Sequence, residues 1–285
     1  MKRIKLNDGN SMPVIGMGFY QVKSENCNNI IVSAIDSGYR SFDTANAYFN
    51  EVAIGKAVSD SGVKREDIFI TTKLWTSDYG LEKTPAAIDA TLRRLNVDYI
   101  DLLLLHQEYG DYTGAWKAME NTVKEGKVKS IGLSNFRIEK VQEIIDIAHI
   151  LPAVNQVQCH PYNQQNKLKE FLGKYDIILE AYCPLGHGDS ALFEEPVLTE
   201  LSKKYNKSVV QIILRWHIEE NHIVIPKASS SKHIAENADI FDFELSDNDI
   251  QLIRSLNKEY RYFYRPDEEQ EKIALSWSPN FDEQQ

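Results

Sequence analysis

Four side chains of complementary acid–base type stand where apolar runs of the sequence end. Asp43 and Tyr48 follow one such run in SFDTANAYFNE, Lys73 closes another in FITTKLW, and His106 closes a third in IDLLLLHQ. A phenol alone is a poor acid near neutrality, with a reference pKa of about 10. An ammonium beside it stabilises the phenolate and lowers that value. A carboxylate would fix the ammonium in place, and an imidazole would donate to a substrate oxygen. Such a group could protonate a carbonyl oxygen while hydride arrives at its carbon, without a covalent nucleophile. Each member taken alone has an ordinary explanation: a solvated lysine, a packed tyrosine, a helix-capping Asp-Thr pair. Four of them on successive strand ends are harder to dismiss.

The elements that would position them alternate along the chain. Strands are expected at 16–20, 41–43, 68–73, 100–105, 128–133, 154–158, 177–181 and 223–225, where Val, Ile, Leu, Phe and Thr lie between turn-forming residues. Helices are expected between them, at 25–37, 50–61, 82–95, 112–125, 137–149, 166–173, 194–205 and 208–219, then at 231–240 and 246–256. Ser24, Thr84-Pro85 and Ser246 with Asp249 give start signals. Ahead of them, Arg3–Leu6 and Met12–Ile15 flank Asp8-Gly9 as a β-hairpin would. Strands alternating with helices imply a parallel sheet with right-handed crossovers. Eight of them over 285 residues favour a (β/α)8 TIM barrel, although an open doubly wound sheet gives the same periodicity. In a barrel the chemistry belongs at the carboxyl ends of the strands, where the four side chains fall.

Composition narrows the function classes. A net charge of −10 argues against a nucleic-acid partner, which would need a basic face. The most apolar stretch, 99–105, is far shorter than the roughly twenty residues that cross a bilayer. The expectation is a cytoplasmic, monomeric protein of one domain over residues 1–285, with no linker-like segment dividing it. Cys27, Cys159 and Cys183 form no CxxC pair, and the histidines show no metal-ligand spacing, so no metal is expected and His149, His160, His217 and His222 read as structural or solvated. Gly16-Met17-Gly18 lacks the third glycine of a dinucleotide fingerprint, and no phosphate-binding loop of the GxxxxGK type occurs.

The strings GMGFY, DTANAYFNEVAIG, FITTKLW, DYIDLLLLH, IGLSNF, VNQVQCHPYNQQ, AYCPLG and IPKASSSKHIAEN, in this order, closely resemble the aldo-keto reductase superfamily, most of all its bacterial diketogluconate reductase-like branch. The resemblance runs from about residue 4 to residue 256. It implies NAD(P)H-dependent reduction of an aldehyde or ketone, with NADPH preferred and a small carbonyl compound as partner. It also implies that Tyr48 is the proton donor, that Lys73 and Asp43 tune it, and that His106 orients the carbonyl. By the same resemblance Ser134, Asn135 and Gln156 hold the nicotinamide carboxamide and Tyr182 stacks on its ring. Cys183, Leu185 and Gly186 would lie along the pyrophosphate. Lys227, Ser229 and His233 would meet the 2′-phosphate, Glu236 and Asn237 the adenine, and Tyr20 and Trp75 would line the substrate pocket. Read without the family, Ser134-Asn135 is a helix-capping pair, Tyr182 a core aromatic and Lys227 a solvated charge.

Departures from the family pattern matter too. Glu108 stands where many relatives have proline, and a carboxylate near the rim would disfavour anionic substrates. Ala228 replaces a usual serine and His233 a frequent arginine, which loosens the expected preference for NADPH. The tail 257–285, with Tyr260, Tyr262, Phe263 and Tyr264, either closes the active-site face or packs the last helix. A cofactor-binding regulatory barrel with little turnover is the alternative function, and the complete Asp43, Tyr48, Lys73 and His106 set favours the enzyme. A phosphate-sugar isomerase on the same barrel would need a phosphate grip but no nicotinamide-stacking residue.

Overall fold

A computed structural model describes residues 1–284 of the protein. Two short strands, β1 (Arg3–Lys5) and β2 (Ser11–Pro13), pair antiparallel around Gly9, whose φ of 91° suits glycine. Eight parallel strands follow: β3 (Met17–Gly18), β4 (Ser41–Asp43), β5 (Phe69–Leu74), β6 (Ile100–Leu105), β7 (Val128–Ser134), β8 (Val154–Gln158), β9 (Ile178–Tyr182) and β10 (Ile223–Ile225). Each pairs with its sequence neighbour. The register carries the site directly, with Asp43 opposite Thr71 and Ser134 opposite Gln156. Strand β6 is buried throughout, as a parallel strand covered on both faces must be.

The ends of this sheet meet. Ile15 bridges Val224, Gly16 N–H donates to Val224 O at 3.0 Å, and Gly18 N–H donates to Pro226 O at 3.0 Å. A Cβ on Gly16 would fall 2.8 Å from Ile225 Cδ1, and one on Gly18 would fall 3.0 Å from Ile225 Cγ2. The two glycines therefore let β3 approach β10 and close the (β/α)8 barrel. That removes the open-sheet alternative and gives Gly16-Met17-Gly18 a packing role. The hairpin plugs the amino end of the barrel: Leu6 and Met12 pack with Phe69, Leu102, Leu104, Val154 and Ile223. Asn10 Nδ2 ties it down by donating to Ser130 Oγ at 3.0 Å.

The outer helices follow the expected ranges within a few residues. Ser246 caps Asp247–Arg254, accepting from Asp249 N–H. Two expected caps differ: Ser24 donates to Phe49 O, and Thr84 lies inside Lys83–Leu95, where its hydroxyl donates to Asp78 O. One further helix, Asp267–Ser276, lies in the tail. It is strapped to the barrel by Arg137, which pairs with both Glu108 and Asp267, and by Thr76, which donates to Ala274 O. Trp75 Nε1 donates to Trp277 O at 3.0 Å, and Phe281 packs on Phe49. Among the described residues no helix is long and apolar enough to cross a membrane.

Candidate active site

The carboxyl ends of β4, β5 and β6 bring Asp43, Lys73 and His106 to one end of the barrel, and the turn Asn46–Tyr48 brings Tyr48 over them. Lys73 is 1% exposed. Its ammonium donates to Asp43 Oδ1 at 2.6 Å, to Thr44 O at 2.9 Å and to Tyr48 OH at 3.4 Å. Three acceptors match the three N–H bonds of an ammonium, so a buried cation with its counter-ion is fully satisfied. Burial works against the charge on Lys73, but Asp43 and then Tyr48 outweigh it and hold the lysine protonated. The second Asp43 oxygen accepts from Gln156 Nε2 at 2.8 Å, which fixes the carboxylate from β8.

Tyr48 departs from the sequence expectation. Burial pushes its pKa up to about 12, and the lowering by Lys73 does not offset it. The phenol is therefore a loaded donor at neutral pH, with Lys73 checking a rise that burial would otherwise carry further. His106 packs edge-on against Tyr48 and Trp75, with ring centroids 5.6 and 5.1 Å away. Burial and then the Lys73 charge hold its pKa well below the ordinary range, so the imidazole is neutral. Its Nδ1 is buried without a partner.

A continuous cleft leads away from these groups. Tyr20 and Trp75 line its near end beside Tyr48 and His106, and Tyr20 lies 5.1 Å from Tyr48 between ring centroids. Ser134, Asn135, Gln156 and Tyr182 line the middle. Tyr182 OH donates to Asn135 Oδ1 at 2.9 Å, and Asn135 Nδ2 donates to Ser134 Oγ and His106 O. Asn135 has a φ of 63°, a conformation asparagine tolerates, so Ser134-Asn135 forms part of a linked wall rather than a side-chain helix cap. Cys183 and Leu185 continue the cleft, and Lys227, Ser229, His233, Glu236 and Asn237 line its far end. Ser230 caps the helix Ser231–Ala238 there by accepting from His233 N–H.

Gly186 does not line the cleft. It is buried with φ +59°, and a Cβ there would meet Leu192 at 2.6 Å and the Tyr262 hydroxyl at 2.9 Å. Tyr262 holds this loop from above, donating to Asp189 at 2.7 Å, while Phe263 packs on His187. Tyr262 and Phe263 thus cover the loop after β9. Glu108 also differs from expectation. It is 6% exposed and accepts from both the backbone and the guanidinium of Arg137, so it presents no free charge to the rim.

Sequence reasoning missed Asn46, which accepts from Trp75 N–H and donates to Asp78, and Trp277, which backs Trp75. It also missed that Cys159, His217 and His222 meet in the barrel wall, with candidate ligand atoms within 4.8 Å of one another. The two histidines share a hydrogen bond between their Nδ1 atoms, and Lys169 and Arg254 lie close enough to oppose a further cation.

Residues 14–258 match the Aldo/keto reductase family. A glyoxal reductase of Bacillus subtilis is 44% identical over 267 residues, covering 93% of this chain and 96% of that protein. A methylglyoxal reductase of Escherichia coli is 40% identical over 268 residues, covering 93% and 97%. Among solved structures, an aldo/keto reductase of Brucella melitensis superposes with a TM-score of 0.86 at 44% identity, covering 90% of this chain and 99% of that one. An aldo-keto reductase of Bombyx mori in complex with NADP gives 0.87 at 33% identity, covering 91% and 94%. The family match takes in every barrel strand from β3 to β10 and the far end of the cleft, so the chain belongs to the aldo/keto reductase family and reduces small carbonyl compounds with an NAD(P)-type cofactor.

Proposed function

We propose that the protein is an NADPH-preferring reductase of small reactive dicarbonyls, with Tyr48 as the proton donor. The observation that carries this is the Lys73 ammonium, fixed at 2.6 Å by Asp43 and reaching the Tyr48 oxygen at 3.4 Å. As the phenol gives up its proton, the fixed cation stabilises the growing phenolate without first reorganising. His106, being neutral, can donate its single N–H to the substrate oxygen and orient the carbonyl towards Tyr48. The aromatic end of the cleft, lined by Tyr20, Trp75 and His106, suits a short, flat carbonyl compound. Two relatives carry the names glyoxal and methylglyoxal reductase, which favours 2-oxoaldehydes over bulkier ketones. With Glu108 paired to Arg137, that carboxylate is offset by a guanidinium and is not a free charge facing an anionic substrate.

The cofactor, when bound, supplies hydride to the carbonyl carbon. The donor set along the cleft fits it in order. Ser134, Asn135 and Gln156 offer uncharged groups for a carboxamide, and Tyr182 offers an aromatic face. Lys227, Ser229 and His233, at the start of the helix Ser231–Ala238, offer cationic and hydroxyl groups for a phosphate. Glu236 and Asn237 would reach the adenine. We read the chain as one domain, acting as a cytoplasmic monomer.

The test is NADPH oxidation with methylglyoxal by the native protein and by Tyr48→Phe. Turnover is expected to fall by at least about 10²-fold, the scale of general acid catalysis, with cofactor affinity nearly unchanged. A Tyr48→Phe protein that keeps most of its activity would overturn the assignment.

A further inference from the structure

Glu180 sits in the middle of β9 and is wholly buried, yet neither carboxyl oxygen has a hydrogen-bond partner. An unpaired buried carboxyl is costly, so its presence needs a reason. The register supplies its position. Glu180 pairs with Gln156 on one side and Ile223 on the other, and Tyr182 pairs with Gln158. Ile223 belongs to the apolar interior and Tyr182 to the cleft wall. Residues two apart on a strand share a face, so Glu180 points into the barrel one layer below Tyr182.

That layer holds two more unpartnered polar groups. Ser41 lies two residues before Asp43 and Thr71 two before Lys73, and neither hydroxyl has a partner. Gln156 spends one amide N–H on Asp43 Oδ2 and turns the other side of the same amide towards Glu180, without a full hydrogen bond to it. A buried polar layer therefore underlies the Asp43–Lys73 pair, with one carboxyl in it.

We propose that Glu180 is a positioning residue for the reduction: as the neutral acid it keeps a second negative charge away from Lys73 during turnover, and its ionisation extends the pH range over which Tyr48 keeps its proton. This rests on the reading of Tyr48 as the acid. The charged groups facing Glu180 are Asp43 on β4 and Lys73 on β5; Gln156 on β8 and Ile223 on β10 carry none. Burial first, and Asp43 second, push its pKa up to about 8, with Lys73 and then the Gln156 amide opposing. Below that value the carboxyl is neutral. Above it, the new carboxylate tightens the hold on the Lys73 proton and offsets part of the positive field by which Lys73 favours a Tyr48 phenolate. Tyr48 then stays protonated to higher pH.

The experiment is the pH profile of the reductive kcat for the native protein, Glu180→Gln and Glu180→Asp. Gln cannot ionise, so the alkaline limb should move to lower pH by about half a unit or more, the scale of one added charge through partly buried protein. Near pH 6.5, kcat should stay within about twofold of the native value, because both proteins are then neutral at this site. Glu180→Asp should restore part of the native limb. A packing role alone would lower rates without moving the limb. A second readout avoids activity altogether: with 13C-labelled glutamate, a carboxylic-acid infrared band should disappear around pH 8 in the native protein and be missing in Glu180→Gln. An unmoved limb in an active Glu180→Gln, or no such band in the native protein, overturns the proposal while leaving Tyr48 untouched. If Tyr48→Phe is active instead, the acid assignment fails, and the infrared band still decides whether Glu180 holds a proton.

Discussion

Lys73 and Lys227 are the two ends of the cleft in miniature. Lys73 is buried at the end of β5 with Asp43, Thr44 and Tyr48 around its ammonium. Lys227 is exposed on the loop after β10, and among the described residues it makes no ion pair. The first cation is built into the barrel, where removing it strands a buried carboxylate. The second is held out to solvent, where it can attract a ligand but is screened by salt. A fixed charge in a water-poor site acts on the reacting proton. A solvent-exposed charge at the surface acts on affinity.

The strongest way to break that contrast is to remove each ammonium in turn. Lys73→Met should cut turnover by about 10²-fold or more, by withdrawing stabilisation from the Tyr48 phenolate. It should also destabilise the fold by roughly 3–5 kcal/mol, the usual cost of leaving one partner of a buried pair uncompensated. Activity assays and thermal melts of the same preparation separate the two effects. Lys227→Met should leave kcat and melting temperature close to native while weakening NADPH binding about ten- to a hundredfold, the worth of one charged hydrogen bond. That loss should shrink as salt is raised. Equal kcat losses in the two variants would erase the distinction between the ends.

The same contrast explains what the sequence made legible. Strands β4 to β10 stood out because parallel strands buried on both faces read as short apolar runs between turns. The polar residues closing those runs were the catalytic candidates. Strand β3 is shorter than its expected 16–20 because the glycines that close the barrel leave only Met17 and Gly18 paired to β4. The tail helix Asp267–Ser276 escaped because Ala274 alone among its residues is buried, so it shows no apolar stripe. Contacts such as Trp75 with Trp277, or Glu108 with Arg137, join parts of the chain that no local spacing relates. Glu180 did leave a trace: a lone acidic residue inside the apolar run ILEAY is out of place in a buried strand. The raised pKa of Tyr48 left none, since it depends on how deeply the barrel mouth encloses the phenol.

The smallest expected effect sharpens the surface end alone. His233 lines the cleft beside Ser229, in the first turn of the helix Ser231–Ala238, where backbone N–H groups and the helix dipole already favour an anion. A guanidinium can grip a phosphate with two parallel bonds, which an imidazole cannot. The native protein should therefore prefer NADPH over NADH less strictly than a His233→Arg variant does. His233→Arg should tighten NADPH binding by roughly three- to tenfold at pH 8, less than a fully buried charged bond would give because the site is open to solvent. NADH affinity should hardly change, since it lacks the phosphate. Fluorescence titration of both cofactors at pH 8, for the native protein and His233→Arg, measures both affinities. An NADPH-to-NADH affinity ratio unaltered by arginine would mean that Lys227 and the helix terminus hold the phosphate without His233.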